Sequence, residues 1–394
     1  MARSWLSRNV IVLGVVSLLT DASSEMIVPL LPVFLTGTLG AGALALGWIE
    51  GLAEATASVF KLLSGRWSDR AGKRRPFVLA GYTLSACARP LVALAAAPWH
   101  VLAVRLTDRT GKGLRSSPRD ALLAASVAPG ERASAFGLHR AMDHAGAVVG
   151  PLAATAVLAL WTDDLRTVFW LAAIPGLLCV GVLVVGVREA PAPADALRAH
   201  DVAVAPETHG GLGRLLVALG LFTLGNASDV FLLLKAGESR APLATLPILW
   251  MALHVVKTVT SVPAGRLADR YGRRRVVGAG WIVYAAIYAS FAFAQTQATI
   301  WTLFVAYGLY HGLSEGPEKA LVAELAPRAR WGGAFGLYHL VLGICALAAS
   351  VLFGALWERF GSPAAFLTSA GLALAAVACL AILAPRGAQA SQAG

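Results

Sequence analysis

The sequence predicts an all-α integral membrane protein, with twelve transmembrane helices arranged as two pseudo-symmetric six-helix bundles. The first observation is composition: 57% of the 394 residues are hydrophobic and only 14% are charged, whereas about 25% of the residues in a soluble domain are charged. The second is that apolar runs recur along the whole chain, each long enough for a bilayer that needs about 20 residues per helix. The third is an internal repeat of the first half by the second. Because only helices and closed barrels satisfy the backbone in lipid, runs this long predict helices.

The apolar runs give the elements in chain order. A proline-containing polar segment, 188–211, separates the sixth run from the seventh and is predicted to be a cytoplasmic linker between an N-terminal bundle, 1–187, and a C-terminal bundle, 212–386. Residues 387–394 are predicted to form a flexible tail. The predicted spans are about 9–36, 43–65, 76–97, 99–126, 133–158, 166–187, 212–234, 243–265, 276–296, 299–326, 333–356 and 363–384.

The repeat is clearest in two basic loops. The segment 65–75 reads G-x-x-x-D-R-x-G-K-R-R, and the segment 265–275, 200 residues later, reads G-x-x-x-D-R-x-G-R-R-R. A second pair lies 199 residues apart, where A-F-G-L occurs at 135–138 and again at 334–337. A period this long indicates duplicated domains. In a hydrophobic chain it points to a transporter with a binding site between its halves.

The basic residues are distributed asymmetrically. With the N-terminus inside, 19 of the 33 lysines and arginines fall in cytoplasmic segments and only 4 in external loops. This positive-inside pattern predicts that both termini are cytoplasmic. Membrane insertion then accounts for the net charge of +11 without a nucleic acid partner. We expect a monomer in the lipid bilayer of the inner (cytoplasmic) membrane.

Ionisable residues inside the predicted spans are costly in lipid and are therefore candidates for function. Asp21 and Glu25 lie four residues apart in the first span and share a helix face. Neighbouring carboxylates in a low-dielectric site can be neutral near pH 7, so these two and Asp143 are the predicted proton-coupling residues. Structural salt bridges with basic residues of the fourth and fifth spans are the alternative. The predicted substrate cavity is lined by Glu50, Glu54, Arg105, Asp108, Arg109, Lys112, His139, Arg140, Asp229, His311 and Glu315.

The two halves differ in charge. At an offset of 200 residues Glu54 corresponds to His254, and at an offset of 199 residues Lys112 corresponds to His311. The N-terminal half keeps most of the charge. Proton coupling is therefore predicted to reside there, with the C-terminal half supplying shape and aromatic contacts.

The two loop segments make the chain resemble the major facilitator superfamily over essentially its whole length. The resemblance implies two six-helix bundles that rock around a central site lined mainly by helices 1, 4, 7 and 10. It also implies that charged residues of each loop latch the bundles in the outward-facing state. The loop residues concerned are Gly65, Asp69, Arg70, Gly72 and Arg74 in the first copy, and Gly265, Asp269, Arg270 and Gly272 in the second.

A further motif concerns the direction of transport. Gly137, Gly146, Gly150 and Pro151 resemble the helix 5 antiporter motif of proton-coupled drug exporters, G-x8-G-x3-G-P-x2-G-G. The final glycine pair of that motif is replaced by alanine and threonine at 154–155. Small residues at this spacing are predicted to let helices 5 and 8 approach closely.

The favoured function is secondary active transport, by proton-coupled efflux antiport of a small toxic compound or drug. Two alternatives stay open. One is export of a divalent metal or metal chelate, for which imidazole and carboxylate ligands are suited. The other is import of an anionic metabolite, which the cations of the fourth span favour. A receptor or scaffold would leave the doubled loops and buried charges unexplained. No nucleophile, cofactor loop or metal-hydrolase motif occurs, so no enzyme, bound cofactor or dedicated metal site is expected. The partners are a small-molecule substrate and the proton.

Overall fold

A computed structural model describes residues 6–40, 43–189, 207–229, 231–232, 235–236 and 246–383. Among these residues the regular secondary structure is helical, and no strand occurs. The predicted all-α class is therefore confirmed. Most of the predicted linker and all of the predicted tail lie outside the described residues.

The long helices are numbered here in chain order. The sixth is interrupted at a single residue, Ala172. The helices are α1 Arg8–Glu25, α2 Ala43–Ala71, α3 Arg75–Ala88, α4 Pro98–Ala125, α5 Arg132–Leu160, α6 Leu165–Leu171 with Ala173–Gly186, α7 Glu207–Gly225, α8 Leu246–Tyr271, α9 Arg273–Phe293, α10 Gln297–Leu325, α11 Trp331–Phe360 and α12 Ser362–Leu383.

Helix α1 ends at Glu25, shortly before Pro29. After Glu25 the chain forms a 3-10 turn over Val28–Leu30 and a π-helical turn over Phe34–Thr38. Pro29 has no N–H to donate, and its ring clashes with the preceding turn of a regular helix. The chain therefore changes helix type after Glu25 and does not continue as a regular α-helix.

Seven stretches of the described residues are long and apolar enough to cross a membrane, by length and composition. They contain α1, α3, α5, α6, α9, α11 and α12. The apolar part of α7 is shorter, Gly211–Gly225, while α2, α4, α8 and α10 have ionisable residues along their length. Mean hydropathy alone does not distinguish a transmembrane helix whose polar face is turned toward the protein interior from a helix that lies outside the membrane. The count of twelve spans therefore stays a prediction.

The described residues form two compact units. The first takes in 6–128, 138–189 and 329–339, and the second takes in 129–137, the described parts of 207–328, and 340–383. Each unit therefore includes the first turns of a helix, α11 or α5, whose remainder belongs to the other unit.

The helix packing within the two units repeats. In the first unit α2 and α3 pack on α4, and α6 packs on α1 and α3. In the second, α8 and α9 pack on α10, and α12 packs on α7 and α9. The repeat in the sequence is therefore also a repeat of packing.

The interiors of the two units differ in character. In the first, the ring of Phe34 meets that of Phe169 edge-on within a mainly aliphatic cluster, with 5.1 Å between the ring centroids. In the second, buried aromatic rings stack on one another, for example Tyr284 on Tyr288 with 4.1 Å between centroids. Offset and edge-on pairs of this kind are the favoured aromatic geometries. Aromatic packing is thus a feature of the described interior of the second unit, and the predicted role of its aromatic side chains in transport stays a prediction.

Candidate functional site

A group of polar side chains joins α1 to α5 in the first unit. The carboxyl group of Asp21 lies within hydrogen-bonding reach of that of Asp143. Ser17 donates its hydroxyl to Oδ1 of Asp143 at 2.6 Å, and Arg140 donates from Nη1 to Oδ2 at 2.8 Å. Two carboxyl groups hydrogen-bond one another only when one of them holds a proton. The structure thus brings together two of the three predicted proton-coupling residues, and it adds Ser17, which the sequence did not single out.

Close packing of α5 on α1 makes this pairing possible. A Cβ atom at Gly146 would collide with the backbone oxygen of Leu18, and one at Gly150 would lie 2.6 Å from that of Ala22. Both glycines therefore allow the two backbones to approach more closely than any side chain would permit. Pro151 follows directly, inside α5.

The remaining glycine of the motif faces a different helix. A Cβ atom at Gly137 would collide with the backbone oxygen of Ser261 on α8. The predicted approach of helices 5 and 8 therefore holds at Gly137, but it was wrong for Gly146 and Gly150. Nine residues at 100° per residue turn a helix by about 180°, so positions 137 and 146 lie on opposite faces of α5.

The carboxylates of Glu25 and Glu54 face basic residues of α2 and α4. Glu54 lies 3.5 Å from Nζ of Lys61 and 4.0 Å from Nη1 of Arg109. Lys112 interacts electrostatically with Glu54 and also with Glu25. These contacts are of the kind expected from the salt-bridge alternative, and Lys112 interacts electrostatically with Asp21 as well.

Asp108 and Arg105 of α4 are almost inaccessible. Arg89 donates from Nε to Oδ1 of Asp108 at 2.8 Å and from Nη1 to the backbone oxygen of Thr20 at 2.7 Å. Nη1 of Arg105 lies 3.7 Å from Oδ2 of Asp108. This buried ion pair ties α1 and α4 to the 3-10 helix Arg89–Leu94 that follows α3, beside a small cavity that Ser24 also lines. The sequence prediction omitted Arg89, although it is the only charged residue of the third predicted span.

Two histidines of the first unit, His139 and His339, each lie near an aspartate. His139 is buried and lies near Asp143. His339, on the first turns of α11, lies 3.0 Å from Oδ2 of Asp120. Within the part of the chain that the structure describes, no three histidine, cysteine, aspartate or glutamate residues are grouped so that they could hold a metal ion. The side chain of Glu50 is outside the described residues.

A second polar group lies in the second unit, around Asp229 in the segment after α7. Tyr307 donates its hydroxyl to Oδ1 of Asp229 at 2.8 Å, and Nζ of Lys257 lies 3.3 Å from Oδ2. Nδ1 of His311 is 2.9 Å from Oε1 of Glu315, and its Nε2 is 3.9 Å from Oδ2 of Asp229. The structure brings the three cavity residues predicted for this half together and adds Lys257 and Tyr307.

The aspartate of the first loop caps a helix. Oδ1 of Asp69 accepts the N–H of Gly332 at 3.0 Å, and Oδ2 accepts that of Gly333 at 2.6 Å. The first N–H groups of a helix have no partner within it, so Asp69 satisfies two of them on α11. Burial raises the pKa of Asp69, while the two glycine N–H groups and the Arg74 guanidinium, 3.8 Å away, act to lower it. Arg70 is exposed.

The second loop repeats this arrangement with different partners. Oδ2 of Asp269 accepts the N–H and the hydroxyl of Ser134 at 2.8 and 2.7 Å, and Oδ1 accepts the N–H of Ala133 at 3.2 Å. Nη2 of Arg273 lies 3.2 Å from Oδ1 of Asp269. Arg273 corresponds to Lys73 in the first loop, and the sequence prediction did not include it. Arg270 is exposed.

Glycine occurs at the same positions in both loops for two physical reasons. A Cβ atom at Gly65 would collide with a backbone oxygen at the start of α11, and one at Gly265 with a backbone oxygen at the start of α5. Gly72 and Gly272 have φ angles of +62° and +97°, a region that other residues rarely adopt. The doubled loop is thus a specific structure, beyond a basic signal for topology.

A protein-family model and several known sequences match this chain. The family model of the Major Facilitator Superfamily matches residues 13–253 and 210–394. An uncharacterized MFS-type transporter of Methanocaldococcus jannaschii is 32% identical over 359 residues, which cover 90% of this chain and 89% of that protein. The multidrug resistance protein MdtH of Cronobacter sakazakii is 31% identical over 156 residues, covering 40% of this chain and 38% of that protein.

Solved structures show the same fold at low sequence identity. The human organic anion transporter MFSD10 has a TM-score of 0.79 at 17% identity, covering 95% of this chain and 99% of its own. The proton:xylose symporter XylE has a TM-score of 0.76 at 17% identity, covering 96% and 95%.

The helical bundles, the doubled loops and these matches define a membrane transporter. The chain belongs to the major facilitator superfamily. It is accordingly a multi-pass protein of a lipid bilayer that binds a small-molecule substrate, in a family whose members are generally not enzymes.

Proposed function

We propose that the chain is a proton-coupled efflux antiporter of a small toxic compound, working by alternating access through twelve spans in the inner membrane. The pair of Asp21 and Asp143 carries the proposal, because two carboxyl groups that share a proton inside an apolar bundle can release it and take it up again. The helix 5 motif supports export. So does the relative MdtH, a multidrug resistance protein that matches 40% of this chain.

The neighbours of the pair give the two carboxyl groups different roles. Asp143 already accepts hydrogen bonds from Ser17 and Arg140, so Asp21 is the natural holder of the shared proton. Antiport requires that substrate and proton compete, so that each is bound when the other has left. A substrate that binds to the same carboxyl group as the proton meets this requirement.

The two loops supply the conformational part of the cycle. Asp69 and Asp269 each close the free N-terminal turn of a helix through backbone hydrogen bonds. Such contacts form or break as a unit, which suits an element with two discrete states. The latch that the family resemblance implies would then rest on Asp69, Arg74, Asp269 and Arg273, with the exposed Arg70 and Arg270 contributing less.

The test is survival of a transporter-depleted bacterium that expresses the chain, across a panel of antibiotics, dyes and divalent metals. We expect the wild-type chain to protect against at least one organic compound and Asp21→Asn to lose that protection. Asp163→Asn, the same chemical change at an exposed site in the loop before α6, is the matched control and should protect fully. Both variants must reach the membrane in wild-type amounts.

Three other results would redirect the proposal. Protection against metals alone would favour the metal exporter. Protection that Asp21→Asn retains would show export without this proton site. Greater sensitivity to an anionic compound would favour import.

Import of an anionic metabolite is the second candidate, because α4 and its neighbours present more basic than acidic side chains. Lys61, Arg109 and Lys112 face Glu25 and Glu54. One structural neighbour is a symporter, so the fold also serves uptake. A growth assay with organic anions as sole carbon source separates the two candidates.

A further inference from the structure

The polar group around Asp229 is built on one face of α10. Tyr307, His311 and Glu315 are spaced four residues apart, so their side chains follow one another along that face. The His311 ring lies between two carboxylates, at 2.9 Å from Glu315 on its Nδ1 side and 3.9 Å from Asp229 on its Nε2 side. Lys257 reaches the same Asp229 from α8. The ring thus links two carboxylates that would otherwise be separate.

The groups around this ring are ionisable or carry hydroxyls. Nζ of Lys257 lies 3.3 Å from Oδ2 of Asp229. On α10, the rings of Tyr307 and Tyr310 face the His311 ring. Tyr307 in turn contacts Tyr284 and Tyr288 of α9 and Asn226 after α7. A protonated ring in this place would lie between two carboxylates, and opposite charges this near favour its charged form.

The hydrogen bonds of His311 point the same way. Within the described residues its Nε2 is buried and has no hydrogen-bond partner. A neutral ring has one donor and one acceptor nitrogen, whereas a protonated ring donates from both. The protonated ring would donate to Glu315 from Nδ1 and, after a movement of about 1 Å, to Asp229 from Nε2. Protonation therefore satisfies the atom that the neutral ring leaves unpaired.

We propose that Asp229, His311 and Glu315 form a second proton-binding site, which takes up one proton per transport cycle in addition to the proton of Asp21 and Asp143. The proposal rests on the proton-coupled function proposed above, and it raises the number of protons exchanged to at least two. The step is proton transfer alone: an N–H bond forms at Nε2 as a hydronium ion gives up a proton and becomes water, and the reverse step returns the proton to a water molecule.

This site has no counterpart in the first half. At the offset of 199 residues His311 corresponds to Lys112, and Glu315 corresponds to Ser116. A lysine, which ordinarily stays charged, is thus replaced by a side chain whose ordinary pKa lies near neutral pH. The two halves would then bind protons with different chemistry, Asp with Asp in one and His with Asp and Glu in the other.

The first test is proton binding without any substrate. The full chain, labelled with ring-15N histidine and held in detergent, is titrated by NMR, and His311→Asn identifies the signal. We expect the ring to pass from one protonated nitrogen to two. In Glu315→Gln and in Asp229→Asn, the ring should take up its second proton only at a proton concentration at least about tenfold higher, because each substitution removes an anion beside the ring. Tyr310→Phe is the control and should leave the titration in place. The proposal is overturned if the ring keeps one protonated nitrogen at every pH at which the protein stays folded. It is also overturned if neither carboxylate substitution changes the titration of the ring.

The second test counts transported protons in proteoliposomes, with ethidium as the probe. The steady-state ethidium gradient is measured against the imposed pH gradient, and the slope gives the protons moved per ethidium. We expect His311→Asn to lower the slope by about one, while an unchanged slope overturns the proposal. If the wild type moves no ethidium, the proposed export fails for this compound, and the ring titration decides the proposal of a second proton-binding site alone.

Discussion

At the scale of single residues, Asp69 and Asp269 show how a repeated motif works. Each is the aspartate of its loop, and each accepts two N–H groups from the first turn of a long helix. The hydrogen bonds explain why the loops keep an aspartate at this place, because a carboxylate has two oxygens for two donors.

We predict that Asp69→Asn lowers the free energy of unfolding by about 1–2 kcal/mol. An asparagine has a single acceptor oxygen, so its amide group would face the N–H of Gly333 as a second donor. Thermal unfolding of the detergent-solubilised protein measures the change. Lys73→Gln, at an exposed position of the same loop, is the control and should stay within about 0.5 kcal/mol of wild type. Equal stability of the two variants would contradict the capping role.

The candidate residues were easier to predict than their partners. Charge in an apolar span singled out Asp21, Glu25 and Asp143 from the sequence, because that signal is local. That Asp21 meets Asp143 while Glu25 faces Lys112 depends on how α1, α4 and α5 are placed. The i,i+4 spacing of Asp21 and Glu25 therefore did not identify the two carboxyl groups that lie within hydrogen-bonding reach of one another.

At the scale of elements, α5 shows how one helix serves two neighbours. Its motif glycines lie on opposite faces, with Gly137 against α8 and with Gly146 and Gly150 against α1. The sequence predicted close packing correctly, since glycine spacing is visible in it. It did not predict which helix each glycine meets, because that depends on tertiary placement.

We predict that Gly146→Ala destabilises the protein by about 1–3 kcal/mol and impairs transport, because the added methyl group forces α1 and α5 apart. Gly181→Ala in α6 is the matched control, since a Cβ atom there has no neighbour within 4 Å. It should raise stability by about 0.4–1 kcal/mol through the loss of backbone freedom in the unfolded chain. Unfolding temperature and transport rate are measured for both. If Gly146→Ala behaved like its control, the close approach would not matter.

At the scale of the whole molecule, the halves of the sequence are not the compact units of the structure. Residues 329–339 belong to the first unit and residues 129–137 to the second. The reason lies in the loops: Asp69 and Gly65 contact the start of α11, and Asp269 and Gly265 contact the start of α5.

We predict that a chain cut after residue 198 works only when both pieces are present. The N-terminal piece alone lacks the N–H groups that Asp69 accepts, so it should unfold at a lower temperature than the same piece purified with its partner. Co-expressed pieces should co-purify. Gly332→Ala in the C-terminal piece should reduce the yield of the pair, because its methyl group would collide with Gly65. Gly213→Ala, with no neighbour within 4 Å, should not. A free N-terminal piece as stable as the complex would contradict the prediction.

The sequence by itself determined the membrane class, the all-helical fold, the internal repeat, the family and the set of ionisable residues inside the spans. Those features follow from local quantities: apolarity over about 20 residues, fixed motif spacing and the cost of charge in lipid. The tertiary structure decided which charges meet, such as Asp21 with Asp143 and His311 with Asp229, and to which unit the first turns of α5 and α11 belong. Such choices depend on which helix faces touch, and residues 82 and 122 positions apart in these two pairs reach one site only through packing.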